Sequence, residues 1–206
     1  MRVAMQRAFE SLASRPADEI AAGCGGRVDA ERGGVTFDVV GRAVRVDLEA
    51  GAVYDSSGEA LEDFAAAPVA RYVALGGPLT GDDRPVAFTE VADARGYAIP
   101  FRGRVIAPFL GAFGRDPDRF ARAATALGGR HAAASERAGG IAYGVRVFPK
   151  VELVFVLDAG DDELPAAGQV LFPREFFDAF AVYDAVVMAD LASRALRGKH
   201  PVREGG

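Results

Sequence analysis

The chain has few of the residues that most often carry recognisable chemistry. It has one cysteine, Cys24, two histidines, His131 and His200, and no tryptophan. A single thiol excludes an intramolecular disulfide and any metal or cluster site made of cysteines alone. The histidines fall in a loop after two glycines and near the end of the chain, so neither has an identifiable third group and both read as surface residues. Of the 24 basic residues only Lys150 and Lys199 are lysines. That bias, with abundant Ala and Gly, is the mark of a GC-rich genome, and it weakens the case that any one arginine was selected for its bidentate fork. No apolar run approaches the length that crosses a bilayer, and Met1 to Pro16 lacks the uninterrupted apolar stretch of a secretory signal, so the expectation is a cytoplasmic protein.

Motifs are as scarce as residue types. There is no G-x-S-x-G, no H-E-x-x-H and no serine or cysteine with an evident base. Gly76 and Gly81 have phosphate-loop separation, but Asp82 and Asp83 stand where Lys and Ser or Thr belong. Gly23-Cys24-Gly25-Gly26 follows a helical pattern instead of a strand, which removes the dinucleotide reading. Cys24 itself, in a run of small residues, reads as packed or merely exposed rather than activated. No metal or cofactor site is predicted.

What is present is a chain of 206 residues, half of them hydrophobic, which is long enough to bury a sizeable core as one domain over 1–206. Charged residues make up 26% and the net charge is -5, the balance of an ordinary globular protein with no call for nucleic acid or membrane as partner. Met5, Phe9 and Leu12 share a helical face, and a second short helix fits Ala17 to Ala22. Val35, Phe37 and Val39 alternate, as do Val44, Val46 and Leu48, and Gly41-Arg42 between them marks a hairpin. Helical spacing returns from Leu61 to Leu75, with Pro68 read as the start of its stable part, and at Ile106, Phe109, Leu110 and Phe113.

Asp116-Pro117 is an N-cap followed by proline at the first helical position, and Phe120, Ala124 and Leu127 continue inward to Gly128. Strands are predicted at Val145 to Phe148, Val151 to Leu157 and Gly168 to Phe172, a closing helix at Tyr183 to Leu196, and a frayed tail from His200. Strands grouped in two places among helices lack βαβ alternation. They predict an α+β fold with a mainly antiparallel sheet.

Two charged clusters compete for a functional role. The acids of the run VLDAGDDEL, residues 156–164, follow a buried strand, and adjacent Asp161 and Asp162 cannot face one ion in extended structure, so a solvated turn is the reading. From Phe101 to Arg130 six arginines stand against two aspartates. Arg115, Arg119 and Arg122 share a helical face, and Arg102 and Arg104, two apart on a piece read as extended, share a side. If those pieces meet, their guanidinium groups clamp a carboxylate or phosphate. Arg104 and Tyr97 are read as inward-facing polar groups of that anion site. The competing reading is a solvated helix face.

From about Arg71 to Leu196 the order of motifs resembles the domain-of-unknown-function 3786 family of prokaryotes. The runs that carry the likeness are RYVALGGPLTG, AIPFRGRVIAPFLGAFGRDPDRFARAATALGG and FPKVELVFVLDAGDDELPAAGQVLF, followed by the Tyr183 to Leu196 helix, and the hairpin at 35 to 48 also fits. The activity of the family is not established. Some members carry an upstream four-cysteine segment of the kind that binds an iron-sulfur cluster in corrinoid proteins, which this chain does not share. The resemblance therefore implies a protein partner in redox or one-carbon metabolism, and the arginines imply an anionic small molecule. A binding or accessory role is the expectation, and an enzyme with dispersed Asp, Glu, Tyr and Arg chemistry is the alternative.

Overall fold

A computed structural model describes residues 2–76, 85–132, 140–200 and 202–203. The acids at 82 and 83 and most of the tail fall outside them. Two compact units divide the chain: one takes the described residues of 1–79, 147–151 and 201–206, the other those of 80–146 and 152–200.

In the first unit, α1 (Arg2–Leu12) buries Ala8 and Leu12 on the stripe that its apolar spacing requires. Helix α2 (Ala17–Cys24) buries Ile20, Ala21 and Cys24. It ends at Gly25, whose φ of 70° only glycine adopts freely, and the Gly26 N–H reaches back 2.8 Å to the Ala21 carbonyl. Lys150 completes the terminus, its Nζ donating to the carbonyls of Ala22 and Gly23 at 3.0 and 2.6 Å. A meander follows: β1 (Arg27–Val28), β2 (Val35–Val39), β3 (Arg42–Asp47) and β4 (Ala52–Asp55), each antiparallel to the next. The predicted hairpin is β2 and β3, closed by Val40 and Gly41 at φ 49° and 78°, the two left-handed positions of a type I′ turn.

Helix α3 (Asp63–Leu75) corrects one expectation, since Pro68 lies inside it and not at its start. The lost backbone bond and ring contact cost about 3 kcal/mol. Burial of Val69, Tyr72 and Val73 outweighs that, at about 1.5–3 kcal/mol for each large apolar side chain. Tyr72 stacks on Phe148 with centroids 4.5 Å apart and lies 5.4 Å from Phe37. Its hydroxyl donates to the Cys24 carbonyl at 2.6 Å and accepts from the Lys150 N–H at 3.2 Å. Burial pushes the Tyr72 phenol pKa well above its usual value, and burial likewise raises that of the enclosed Cys24 thiol.

The second unit opens with β5 (Val86–Ala87) and two 3₁₀ turns at Phe88–Glu90 and Ala92–Tyr97. A helical run follows: α4 (Ala98–Phe101), a π-turn at Arg102–Ile106 and α5 (Ala107–Phe113). Helix α6 (Pro117–Ala126) starts as the sequence specifies, with Asp116 Oδ1 accepting from the Arg119 N–H at 2.8 Å. The remaining elements are β6 (Arg130–His131), β7 (Ile141–Phe148), β8 (Val151–Asp158), β9 (Ala167–Phe172), α7 (Phe176–Ala179) and α8 (Val182–Leu196). The sheet runs β5-β9-β8-β7-β6, and β8 pairs antiparallel with β9 from Val154↔Leu171 to Asp158↔Ala167. The α+β class and the antiparallel sheets are as read.

Phe109 of α5 meets Phe120 of α6 and Phe155 of β8 at 5.0 and 5.4 Å. Phe176 and Phe180 are buried and stacked 4.7 Å apart, with Phe176 against Phe172. Among the described residues no helix is long and apolar enough to cross a membrane.

Tyr72→Phe keeps the stack but strands a buried carbonyl and an amide, so we expect a loss of about 1–3 kcal/mol in urea unfolding. The raised phenol pKa means the folded state holds a proton that the unfolded chain releases above about pH 10. That part of the stability is complete below about pH 10 and lost above it, so the gap between wild type and variant must narrow there.

Candidate functional site

The helical run from Ala98 to Phe113 builds the site, and its prolines shape it. Pro100 sits in the first turn, where no intrahelical donor is needed. Pro108 has no N–H to offer the Arg104 carbonyl and its ring would meet that oxygen in a regular helix. The turn before it is the widened one, and the Ala107 N–H donates to the Arg102 carbonyl five residues back.

Arg102 and Arg104 are therefore helical, not extended as the sequence reading had them, and residues two apart on a helix diverge by about 200°. Arg104 is taken by α8: its Nη2 lies 3.4 Å from Asp190 Oδ2. Asp190 is 1% exposed, and both of its oxygens also accept from Arg194 Nε at 3.1 Å. Beside this pair Ser193 Oγ donates to the Val105 carbonyl at 3.4 Å.

Arg102 instead lines a cavity of about 410 Å³, with Phe88, Phe101, Ile106, Leu110 and the start of β9. The space exists because its walls are made of small residues. Ala87, Ala98, Ala166, Ala167 and Gly168 all border it, and a Cβ at Gly168 would come 3.1 Å from Leu110 Cδ2 and 3.3 Å from the Phe109 ring. Thr89 and Gln169 add neutral polar groups. Arg102 is exposed and, among the described residues, has no hydrogen-bond or ion-pair partner.

The other arginines of the predicted anion site lie apart from this cavity. Arg115 precedes α6 and lines a second cavity of about 420 Å³ with Asp116 and Asp161. Arg119 lies over the Phe113 ring at 5.6 Å and donates to the Ala112 carbonyl at 3.3 Å. Arg122 is exposed on α6. Tyr97 packs edge-on against Tyr183 at 6.4 Å. No more than one of the five arginines borders either cavity.

The acidic run forms a turn. Asp161 Oδ1 accepts from the N–H groups of Glu163 and Leu164 at 2.9 and 2.7 Å, bonds that hold its pKa below the usual carboxylate value. Asp158 Oδ1 is buried without a partner, close against Gly140. Among the described residues no three His, Cys, Asp or Glu side chains gather where they could hold a metal ion.

A model of the family described as Domain of unknown function (DUF3786) matches residues 17–195. The chain belongs to this family. The match begins well before Arg71, so α2 and the meander are part of the family's domain as well as the region of β7 to α8. No curated protein and no solved structure matches the chain.

Because Asp190 is enclosed while Arg104 and Arg194 are 40% and 42% exposed, the loss on mutation should sit on the carboxylate side. We expect Asp190→Asn to cost about 1.5–3 kcal/mol and Arg104→Gln less than about 1 kcal/mol, measured by chemical unfolding. Equal losses in the two variants would show that Asp190 depends on Arg104 and that Arg194 does not compensate the buried carboxylate.

Proposed function

We propose that the protein binds a ligand that offers an apolar group and a carboxylate, held in the cavity between the α4–α5 run and β9. The observation that carries this reading is Arg102: a guanidinium that has no partner among the described residues and borders an otherwise largely apolar cavity. The cavity lies within the size range of small-molecule sites, about 300–1,000 Å³. Its walls would cover an alkyl or aryl body, and the guanidinium would take the charged end through parallel N–H donors.

The lining favours binding over catalysis. Arg102 is the one ionisable residue among its described members, and a guanidinium stays protonated near neutral pH and moves no proton. The clamp read from sequence becomes a single arginine, Arg102, with Arg104 serving to hold the helix that presents it.

Calorimetric titration with straight-chain carboxylates tests the reading. Burying each further methylene is worth about 0.8 kcal/mol, so affinity should rise about fourfold per carbon from hexanoate to octanoate and level off once the cavity is filled. Arg102→Gln should weaken octanoate about tenfold, while Arg122→Gln leaves it unchanged. Octanol binding as tightly as octanoate would remove the role given to Arg102.

A further inference from the structure

One wall of the cavity is a sheet edge. Strand β5 is two residues long and pairs only with Leu171 and Phe172 of β9, after which the chain turns into a 3₁₀ turn at Phe88. Residues 167–170 of β9 are therefore paired with β8 on one side and, among the described residues, with nothing on the other. In an antiparallel strand alternate residues direct both N–H and C=O to the same side, so two of these four present an unused donor and acceptor to the cavity. Four residues amount to about 13 Å of open edge.

Two further features extend along the same line. The first cavity shares Leu110 and Ala166 with the second, so the two are neighbours beside α5 and the start of β9. Of the exposed apolar side chains, Leu164, 68% exposed, lines the second cavity, and Ile99, 86% exposed, follows the lining residue Ala98 in sequence. The charge changes from the lone Arg102 in the first cavity to Arg115 with Asp116 and Asp161 in the second.

Resting on the reading of Arg102 as a carboxylate site, we infer that the natural ligand is an extended segment of another polypeptide, which adds as a strand to residues 167–170 of β9 and places an acidic side chain on Arg102. A free fatty acid would use the apolar walls and the guanidinium but leave the edge unpaired. A peptide uses all three, its backbone supplying the ladder bonds and its alternate side chains filling the cavity. Because the second cavity adjoins the first at Leu110 and Ala166, a ligand chain has room to run on past Arg102. An internal glutamate or aspartate therefore supplies the charge.

The probe is the blocked peptide acetyl-Val-Thr-Val-Glu-Val-amide, titrated by calorimetry and followed by amide hydrogen exchange. Two N-methylated versions each block one set of alternate amides, and a third version carries Gln for Glu. The inference expects one N-methylated peptide to lose binding and the other to keep it. It expects the Gln peptide to bind about tenfold more weakly to wild type and no more weakly than the Glu peptide to Arg102→Gln. Two of the amides at 167–170 should become protected in the complex.

Equal binding of both N-methylated peptides would overturn strand addition. If the peptide does not bind while octanoate still does in an Arg102-dependent way, the peptide is wrong and the carboxylate site stands. If neither binds, both readings fall.

Discussion

A carboxylate enclosed by apolar helix is costly unless it is paired, and the way Asp190 is paired organises the second unit. Twelve residues of α8 are buried, and Asp190 sits among them. Its own helix supplies one guanidinium, Arg194, four residues on. The second comes from Arg104, and this bond with the Ser193 to Val105 bond joins the π-turn to α8. Taking Arg104 inward fixes the rotation of the helical run. Arg102, about 200° around the axis, is then held outward, with no partner among the described residues. The placement of Arg102 at the cavity is a consequence of the buried anion behind it.

The π-turn has its own cause in the run AIPFRGRVIAPF. Pro108, ten residues after the start of α4, cannot accept a regular turn before it, and one widened turn lets the helix continue with Phe101, Val105, Phe109 and Phe113 all buried. The first unit meets a comparable problem differently. Pro68 is carried inside α3 because the helix is buried along most of its length, so the lost bond is offset by packing around Tyr72. Proline position alone therefore does not locate a helix start. The burial of the surrounding turn decides whether the helix breaks, widens or tolerates it.

Much of the fold was legible because its signals are local. Asp116-Pro117, the Gly41 turn, the alternation in β2 and β8 and the apolar face of α5 each depend on residues within a few positions of one another, and each lies where its pattern put it. Three strands, β1, β5 and β6, are two residues long, too short to show a period. β4 carries its alternation over only the four residues AVYD, a weak signal between turns.

The candidate site was half legible. Arginine content pointed to the right helix, but reading Arg102 and Arg104 as extended put them on one side. Only the distant Asp190, eighty-six residues away, separates their roles. The cavity was not legible at all, since its signal is the smallness of Ala98, Ala166, Ala167 and Gly168, which in a chain rich in Ala and Gly says nothing until the fold brings them together.

The small residues and the short β5 have one effect in common. A longer β5 would cover the β9 edge, as central strands require, and larger side chains at 98 and 166–168 would fill the cavity, as a core requires. Neither happens, although the neighbouring Phe88–Phe101 stack, with centroids 4.0 Å apart, shows that this part of the unit is otherwise packed tightly. An edge left open by itself invites aggregation. In the proposed reading it opens into a cavity bordered by Arg102, which has no partner among the described residues, and would admit a chain narrow enough to lie extended and acidic enough to meet the charge. The same three features that would be liabilities singly make a selective surface together.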